Sequence, residues 1–177
     1  MMGWQPQDEL AQSVALEVLL HGPLGRSELA RRLSLAPATL TRISTDLIAS
    51  GLLTEVRSTR TGASGRPSIP LAVVPDSHHF LGIKVADDCL TAAVINLKAQ
   101  VLSYDQLPLH THSPKDVIEG ISSLASQAEK TFRIDAIGVG IGGVVTDQGI
   151  IRSAPFLEWE DVDLVGLLRE HITIPVF

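Results

Sequence analysis

Three arginines, Arg57, Arg60 and Arg66, are spaced through the stretch RSTRTGASGRPSIPLAV. A guanidinium keeps its charge at any physiological pH, and its flat fork of donors fits a phosphate or the edge of a guanine. Gly62, Ala63, Ser64 and Gly65 lie between them and keep the segment thin. Arg66-Pro67 has the form of an arginine arm that enters a narrow minor groove, where negative potential is strongest. The chemistry is that of nucleic-acid contact, provided that neighbouring elements present the loop to a duplex.

The charge distribution agrees. The 177-residue chain has a net charge of −6, but the charge is not spread evenly. Met1 to Pro75 holds seven arginines, no lysine and six acidic residues, a net +1. Asp76 to Phe177 holds seven basic and fourteen acidic residues, a net −7. Between Arg26 and Arg66 seven arginines face only Glu28, Asp46 and Glu55, a net +4. Such asymmetry points to an anionic partner for the first part alone.

The elements that position these arginines follow from periodicity. Leu10, Val14 and Val18, with Ala15 and Leu19 beside them, mark a helical stripe that Gly22-Pro23 ends. Ser27 is placed to cap a short second helix carrying Leu29, Ala30 and Leu33. After the tight connection SLA, Pro37 opens a third helix, where a missing N–H costs nothing. Leu40, Ile43 and Leu47 mark its buried face, and Gly51 fits the left-handed position just past its end. LLTEVR and SIPLAVV read as strands flanking the arginine loop.

Helix, helix, tight turn, helix and hairpin is the order of a winged helix-turn-helix over residues 1–75. Its recognition helix would run from Pro37 to Ser50 and expose Ala38, Thr39, Thr41, Arg42 and Thr45. Small side chains let such a helix sit deep in the major groove, and Arg42 reaches a phosphate or a guanine edge. The expected DNA-contact set is therefore Ser27, Pro37, Ala38, Thr39, Thr41, Arg42 and Thr45, with Arg57, Arg60, Gly65 and Arg66 on the wing. The expected partner is a double-stranded DNA operator, and a two-fold operator calls for a homodimer.

Residues 76–177 change character. HFLGIKVA, LTAAVINL and QVLSYDQLPL form an antiparallel meander with turns at Asp87-Asp88 and Lys98-Ala99. A helix follows, capped by Ser113, with Pro114 in its first turn and Val117, Ile121 and Leu124 inward. IDAIGVGIGGVVT reads as a buried strand entering a glycine loop, GIIRSAP as a short strand and VDLVGLLREHI as a helix with Asp163 near its start. IPVF begins a further strand. This is the order of an α/β, actin-like (ribonuclease H-like) lobe, expected to lack its remaining elements.

The two halves together resemble the ROK family of sugar-responsive repressors and sugar kinases. GPLGRSELARRLSLAPATLTRISTDLIASGLLTE resembles the helix-turn-helix of the repressor branch. GASGRPSIPLAVVPDSHHFLGIKVADDCLTAAVINLKAQVL is similar to its wing, linker and first lobe strands, and IGVGIGGVVTDQGIIRSAPFLEWEDVDLVGLLREHITIPV to the segment leading to its sugar site. The resemblance implies a repressor of carbohydrate-related genes with a sugar effector. It also implies that Gly142 and Gly143 line the sugar pocket and that Trp159, in the loop FLEWEDV, shapes its wall; a plain glycine turn between strands and a packing role for Trp159 stay open beside it. Family members continue into an Asn-Asp motif carrying the kinase base, a Cys/His zinc site and a second lobe, none of which lies within this sequence.

The kinases of that family carry an Asp-x-Gly-Gly-Thr turn whose amides cradle ATP phosphates. Here the corresponding stretch is GIKVADDCL: Lys84 stands for the Asp, Ala86 and Asp87 for the glycines, and Asp88 for the Thr. Two carboxylates repel a triphosphate and Cβ atoms block its approach, so neither catalysis nor a nucleotide cofactor is expected. GVGIGGVVTDQG lacks the dinucleotide-binding spacing. His78, His79, His110 and His112, with one cysteine, lack the spacing of structural zinc ligands, so no metal is expected. Cys89 follows two carboxylates, which do not lower a thiol pKa, and reads as buried in a strand. It has no second cysteine to pair with, and neither a secretory leader nor a membrane span is evident, which points to the cytoplasm. Two alternatives stay open: a sugar kinase with an added domain, and an interaction module that does not bind DNA.

Overall fold

The structure, a computed structural model, describes residues 8–57 and 69–177. Arg60, Gly65 and Arg66 lie outside the described residues. The chain divides into two compact units, Met1–Ser77 and His78–Phe177.

In the first unit α1 (Glu9–His21) starts at Asp8, whose carboxylate accepts the Leu10 N–H at 3.0 Å. Ala11, Val14 and Val18 form its buried line. Leu10, expected on that line, is exposed, because it stands more than a quarter-turn away from Ala11. β1 (Leu24–Gly25), α2 (Arg26–Arg32), α3 (Pro37–Ala49), β2 (Leu53–Glu55) and β3 (Pro70–Val73) follow. The three short strands make an antiparallel sheet in the order β1-β3-β2. Ser27 does not cap α2. Gly25 holds the cap position in extended geometry while it pairs with Pro70, so the chain turns helical at Arg26 and Ser27 falls inside the first turn.

Pro37 opens α3, and Leu40, Ile43 and Leu47 are buried on it, as the sequence predicts. Gly51 follows the Ser50 cap with φ +81°, a conformation that side chains with a Cβ rarely adopt.

The second unit is built on a four-stranded sheet in the order β6-β5-β4-β7. β4 (His79–Val85), β5 (Cys89–Asn96) and β6 (Val101–Pro108) form the expected antiparallel meander. α4 (Pro114–Glu129) then crosses the sheet, its N–H at Asp116 held by the Ser113 hydroxyl at 3.1 Å. β7 (Ile134–Ile141) returns parallel to β4. Val176 bridges Ile137 in parallel, and Phe177 N–H donates to Ile137 O at 2.9 Å, so the IPVF segment lies beside β7.

One sheet face carries Leu81, Ile83, Val85, Leu90, Ala92 and Val94 and is closed by Val117, Ile121 and Leu124 of α4. Burial of each large aliphatic side chain contributes about 1.5–3 kcal/mol. The other face carries Gly82, Ala93, Ala136, Gly138 and Gly140, and a Cβ added at Gly138 would meet nothing within 4 Å. β7 is therefore not the wholly buried strand expected: Ile134 and Ile137 are buried while Gly138 and Gly140 are exposed.

A second sheet, in the order β10-β9-β8, joins β8 (Val144–Val145), β9 (Ile150–Ala154) and β10 (Trp159–Asp163). The stretch FLEWEDV, expected as a loop, is a single turn over Pro155–Leu157 followed by β10. Val162 and Asp163 pair with Ile151 and Ile150, so α5 (Leu164–Arg169) begins later than predicted and takes Asp163 as its cap. No helix among the described residues is long and apolar enough to cross a membrane.

Replacement of Gly51 by Ala tests the α3 terminus. No atom lies within 4 Å of the added Cβ, so the cost is conformational alone. The expected loss is about 1 kcal/mol by urea denaturation, with an unchanged m-value.

Candidate nucleic-acid interface

α3 presents Ala38, Thr41, Arg42 and Thr45 to solvent, with Thr39 half-buried, on the side away from Leu40, Ile43 and Leu47. The Thr41 hydroxyl donates to Pro37 O at 2.8 Å and that of Thr45 to Thr41 O at 2.9 Å. Each oxygen keeps lone pairs for an outside donor, such as the amino group of adenine or cytosine. Arg42 reaches Asp46 at 3.5 Å and Asp8 at 3.9 Å, and its side chain is 62% exposed. Long, exposed pairs of this kind contribute little, so the guanidinium exchanges them readily for a phosphate or a guanine edge. Arg57 is exposed one residue beyond Val56, whose N–H donates to Pro70 O at 2.9 Å at the base of the hairpin.

Arg26, Arg31 and Arg32 are committed within the unit. Arg31 Nη2 lies 2.8 Å from Glu28, and Arg32 bonds both Glu28 and Glu17 at 2.8 Å. Hydrogen bonds from Arg31 and then Arg32 hold the Glu28 carboxyl at about 2, well below its ordinary range. Glu28 and Glu17 in turn push the Arg32 guanidinium further up. Arg26 pairs with Glu55 at 2.8 Å. The net +4 already subtracts Glu28 and Glu55, but Glu17 lies before the run, so its pairing with Arg32 lowers the positive charge open to an anion further. Ser27, expected to touch DNA, is exposed on α2 without a capping role, and Pro37 serves to open α3.

At the other candidate site Gly142 and Gly143 join β7 to β8. A Cβ on Gly143 would lie 2.3 Å from Ser153 O, so the glycine is required for the approach of β9. A Cβ on Gly142 would meet only the Phe156 ring, at 3.4 Å. Trp159 is 3% exposed and belongs to the core, where its Nε1 donates to His112 O at 2.6 Å. It is a packing residue, not an open wall. Val144 and Val145 are exposed beside the glycines; the sequence reading passed over them because a strand of two residues carries no periodic signal.

The β4–β5 turn is tied into the fold. His112 Nε2 lies 2.9 Å from Asp87 O and 3.1 Å from its carboxylate, while Leu109 N–H donates to Asp88 O at 2.8 Å. His78 is bonded to Asp135, and Cys89 is half-buried with its Sγ 3.9 Å from the Thr91 hydroxyl. No group of three or more His, Cys, Asp or Glu side chains among the described residues could hold a metal ion.

The model of the ROK family matches residues 80–177. The chain belongs to the ROK family. It is 26% identical over 163 residues to the DNA-binding transcriptional repressor Mlc of Escherichia coli (strain K12), across 88% of this chain and 40% of that protein. A ROK family transcriptional regulator of known crystal structure, a homologue of E. coli MLC protein, superposes with a TM-score of 0.75 and 25% identity. That likeness covers 95% of this chain and 44% of the other. A ROK family glucokinase from Streptomyces griseus, in complex with glucose and AMPPNP, has a TM-score of 0.52 at 19% identity, over 55% of this chain and 31% of its own. The glucokinase likeness is one of fold, and the fold is the actin-like one of the ROK family. The chain spans about 40% of the length of the curated relatives it matches.

Two measurements check the site. Glu28 should stay ionised until the pH approaches 2, as followed by carboxyl NMR titration. Because its folded pKa is depressed, its stabilisation is complete above the unfolded value near 4.5 and fades as the pH falls towards 2. The stability difference between wild type and Glu28→Gln should follow that window. Trp159→Phe leaves the partly buried His112 carbonyl without its donor and shrinks a core ring, and should lower stability by about 1–3 kcal/mol in thermal unfolding. Trp159 on a pocket wall would cost less than that.

Proposed function

We propose that the chain is a sequence-specific, DNA-binding transcriptional regulator, a repressor of carbohydrate-related genes. In this reading residues 1–75 are a winged helix-turn-helix, and the residues from 76 onward are the part of the ROK lobe that senses a sugar or sugar derivative. The observation that carries it is the exposed row of Ala38, Thr41, Arg42 and Thr45 on a helix whose opposite side is fully buried. Its small side chains let the helix axis come close to base edges. The likeness to a DNA-binding repressor over 88% of this chain supports the same reading.

Thr39, Thr41 and Arg42 read base edges. Arg57 and Arg60 neutralise phosphates, Gly65 keeps the wing thin and Arg66 enters the minor groove. The regulator acts as a homodimer, because one such module buries too little surface for operator-grade affinity. Gly142 and Gly143 bring backbone close to the effector, and binding there shifts the population between two arrangements of the DNA-reading units.

Kinase activity is the second reading, favoured by the glucokinase fold. The β4–β5 turn speaks against it: Asp87 and Asp88 present carboxylates where a triphosphate needs amides, and His112 already holds the turn. Calorimetric titration with ATP separates the two, since tight binding would favour the kinase.

Fluorescence anisotropy on the chain's own upstream DNA and on a shuffled duplex, at several salt concentrations, tests the regulator. The expected outcome is a preference for the native duplex and a steep fall of affinity with salt. Arg66→Ala should weaken binding, and Arg57→Ala should lower the salt slope by about 0.9. No binding to either duplex by a folded protein would leave an interaction module, and equal binding to both would leave DNA binding without sequence preference.

A further inference from the structure

Arg26, the first residue of α2, joins three elements of the first unit. Its Nε donates to Ser44 Oγ on α3 at 3.1 Å, and its Nη1 lies 2.8 Å from Glu55 Oε1 on β2. Ser44 is fully buried and donates its own proton to Thr41 O at 3.0 Å. What the Ser44 oxygen offers Arg26 is therefore a lone pair. The Arg26 side chain is 29% exposed and Ser44 is buried, so their contact is shielded from water, whereas the Glu55 side chain is 43% exposed.

A lysine ammonium on its flexible stem is a point charge. The planar guanidinium fixes two directions at once, one towards α3 and one towards the hairpin. Thr41, whose carbonyl ends this chain of contacts, lies next to Arg42 on the exposed face of α3.

We propose that Arg26 is a positioning residue for operator reading: it sets the placement of α3 against the β2–β3 hairpin and makes no phosphate contact of its own. The proposal rests on the DNA-binding reading above. It divides the basic run by role, with Arg42 and Arg57 reaching the duplex and Arg26 holding the frame from which they reach. A change in the frame displaces Thr41 and Arg42 from their bases while the hairpin arginines still find phosphate, because phosphates recur at every nucleotide and base edges do not.

The test is anisotropy on the native upstream duplex and the shuffled duplex over a salt series, for wild type, Arg26→Gln, Arg26→Lys, Glu55→Gln and the Arg26→Gln/Glu55→Gln double variant. Circular dichroism melting fixes a temperature at which every variant is folded. Arg26→Gln should keep the wild-type salt slope and lose roughly tenfold in preference for the native duplex. Glu55→Gln should lose preference in the same sense, the double variant should lose no more than Arg26→Gln alone, and Arg26→Lys should regain part of it. A salt slope lower by about 0.9 in Arg26→Gln would mean a direct phosphate contact and overturn the proposal. So would proportionate weakening on both duplexes, the signature of a smaller folded fraction. A wild type without preference between the duplexes sinks the DNA-binding reading itself, and the Arg26 assignment with it.

Discussion

The parallel pairing of β4 with β7 fixes where every later element of the ROK unit stands. It depends on a local device at its start. The register slips between His79 and Phe80, leaving Asp135 as an extra residue between the partners Ile134 and Ala136. A bulged residue leaves a neighbouring backbone group without its ladder partner, which is costly if the group is buried. Asp135 meets that need with its side chain: its carboxylate accepts the His79 N–H at 3.1 Å and lies 3.0 Å from His78 Nδ1. With the register set, Ile137, Val139 and Ile141 stand opposite Leu81, Ile83 and Val85, and the core face closes under α4. The same register delivers the chain to Gly142 and Gly143 at the end of the sheet, where only a glycine allows β9 to pass. The candidate effector loop is thus placed by a carboxylate at the opposite end of its strand.

In the first unit the corresponding constraint is electrostatic. Glu28 draws Arg31 and Arg32 along α2, and Glu17 of α1 takes the second fork of Arg32. These contacts turn basic residues into struts between helices. They also sort the arginines by strength of commitment. Arg26 and Arg32 are held at 2.8 Å by partners on other elements, whereas Arg42 has only distant, exposed acids. A phosphate competes easily for Arg42 and poorly for Arg32, because breaking a well-formed pair leaves a carboxylate with lost contacts on both sides.

The parts of the fold legible from sequence were those written in period and punctuation. Leu40, Ile43 and Leu47 gave the face of α3, and Pro37 and Gly51 its ends, since each residue type has one physical reason to be there. The meander and α4 were equally plain, with Ser113 and Pro114 marking the helix start. Ser27 misled because capping propensity is local while the cap was decided by the pairing of Gly25 with Pro70, more than forty residues away. β10 was hidden by its acidic residues, which suit an exposed strand edge as well as a loop. For Trp159 the sequence left packing and a pocket wall open alike, because the carbonyl that satisfies its indole comes from His112 in another element. Counting charges could not reveal which arginines were already paired, for the same reason: the partners are distant in sequence.

The β4–β5 turn shows how one position can be tied into the scaffold. Asp87 repels a polyphosphate, yet it suits the His112 ring, which approaches both its carbonyl and its carboxylate. The carbonyl of that same histidine accepts the Trp159 indole N–H. A run of short contacts therefore leads from the turn through the segment before α4 to the start of β10, and Trp159 pairs with Ala154 on β9 beside Gly143. The Asp87 side chain stays 73% exposed, so its tie runs through the histidine alone. The loop carrying Gly142 and Gly143 is thereby joined, through Ala154, Trp159 and His112, to the turn at the end of β4.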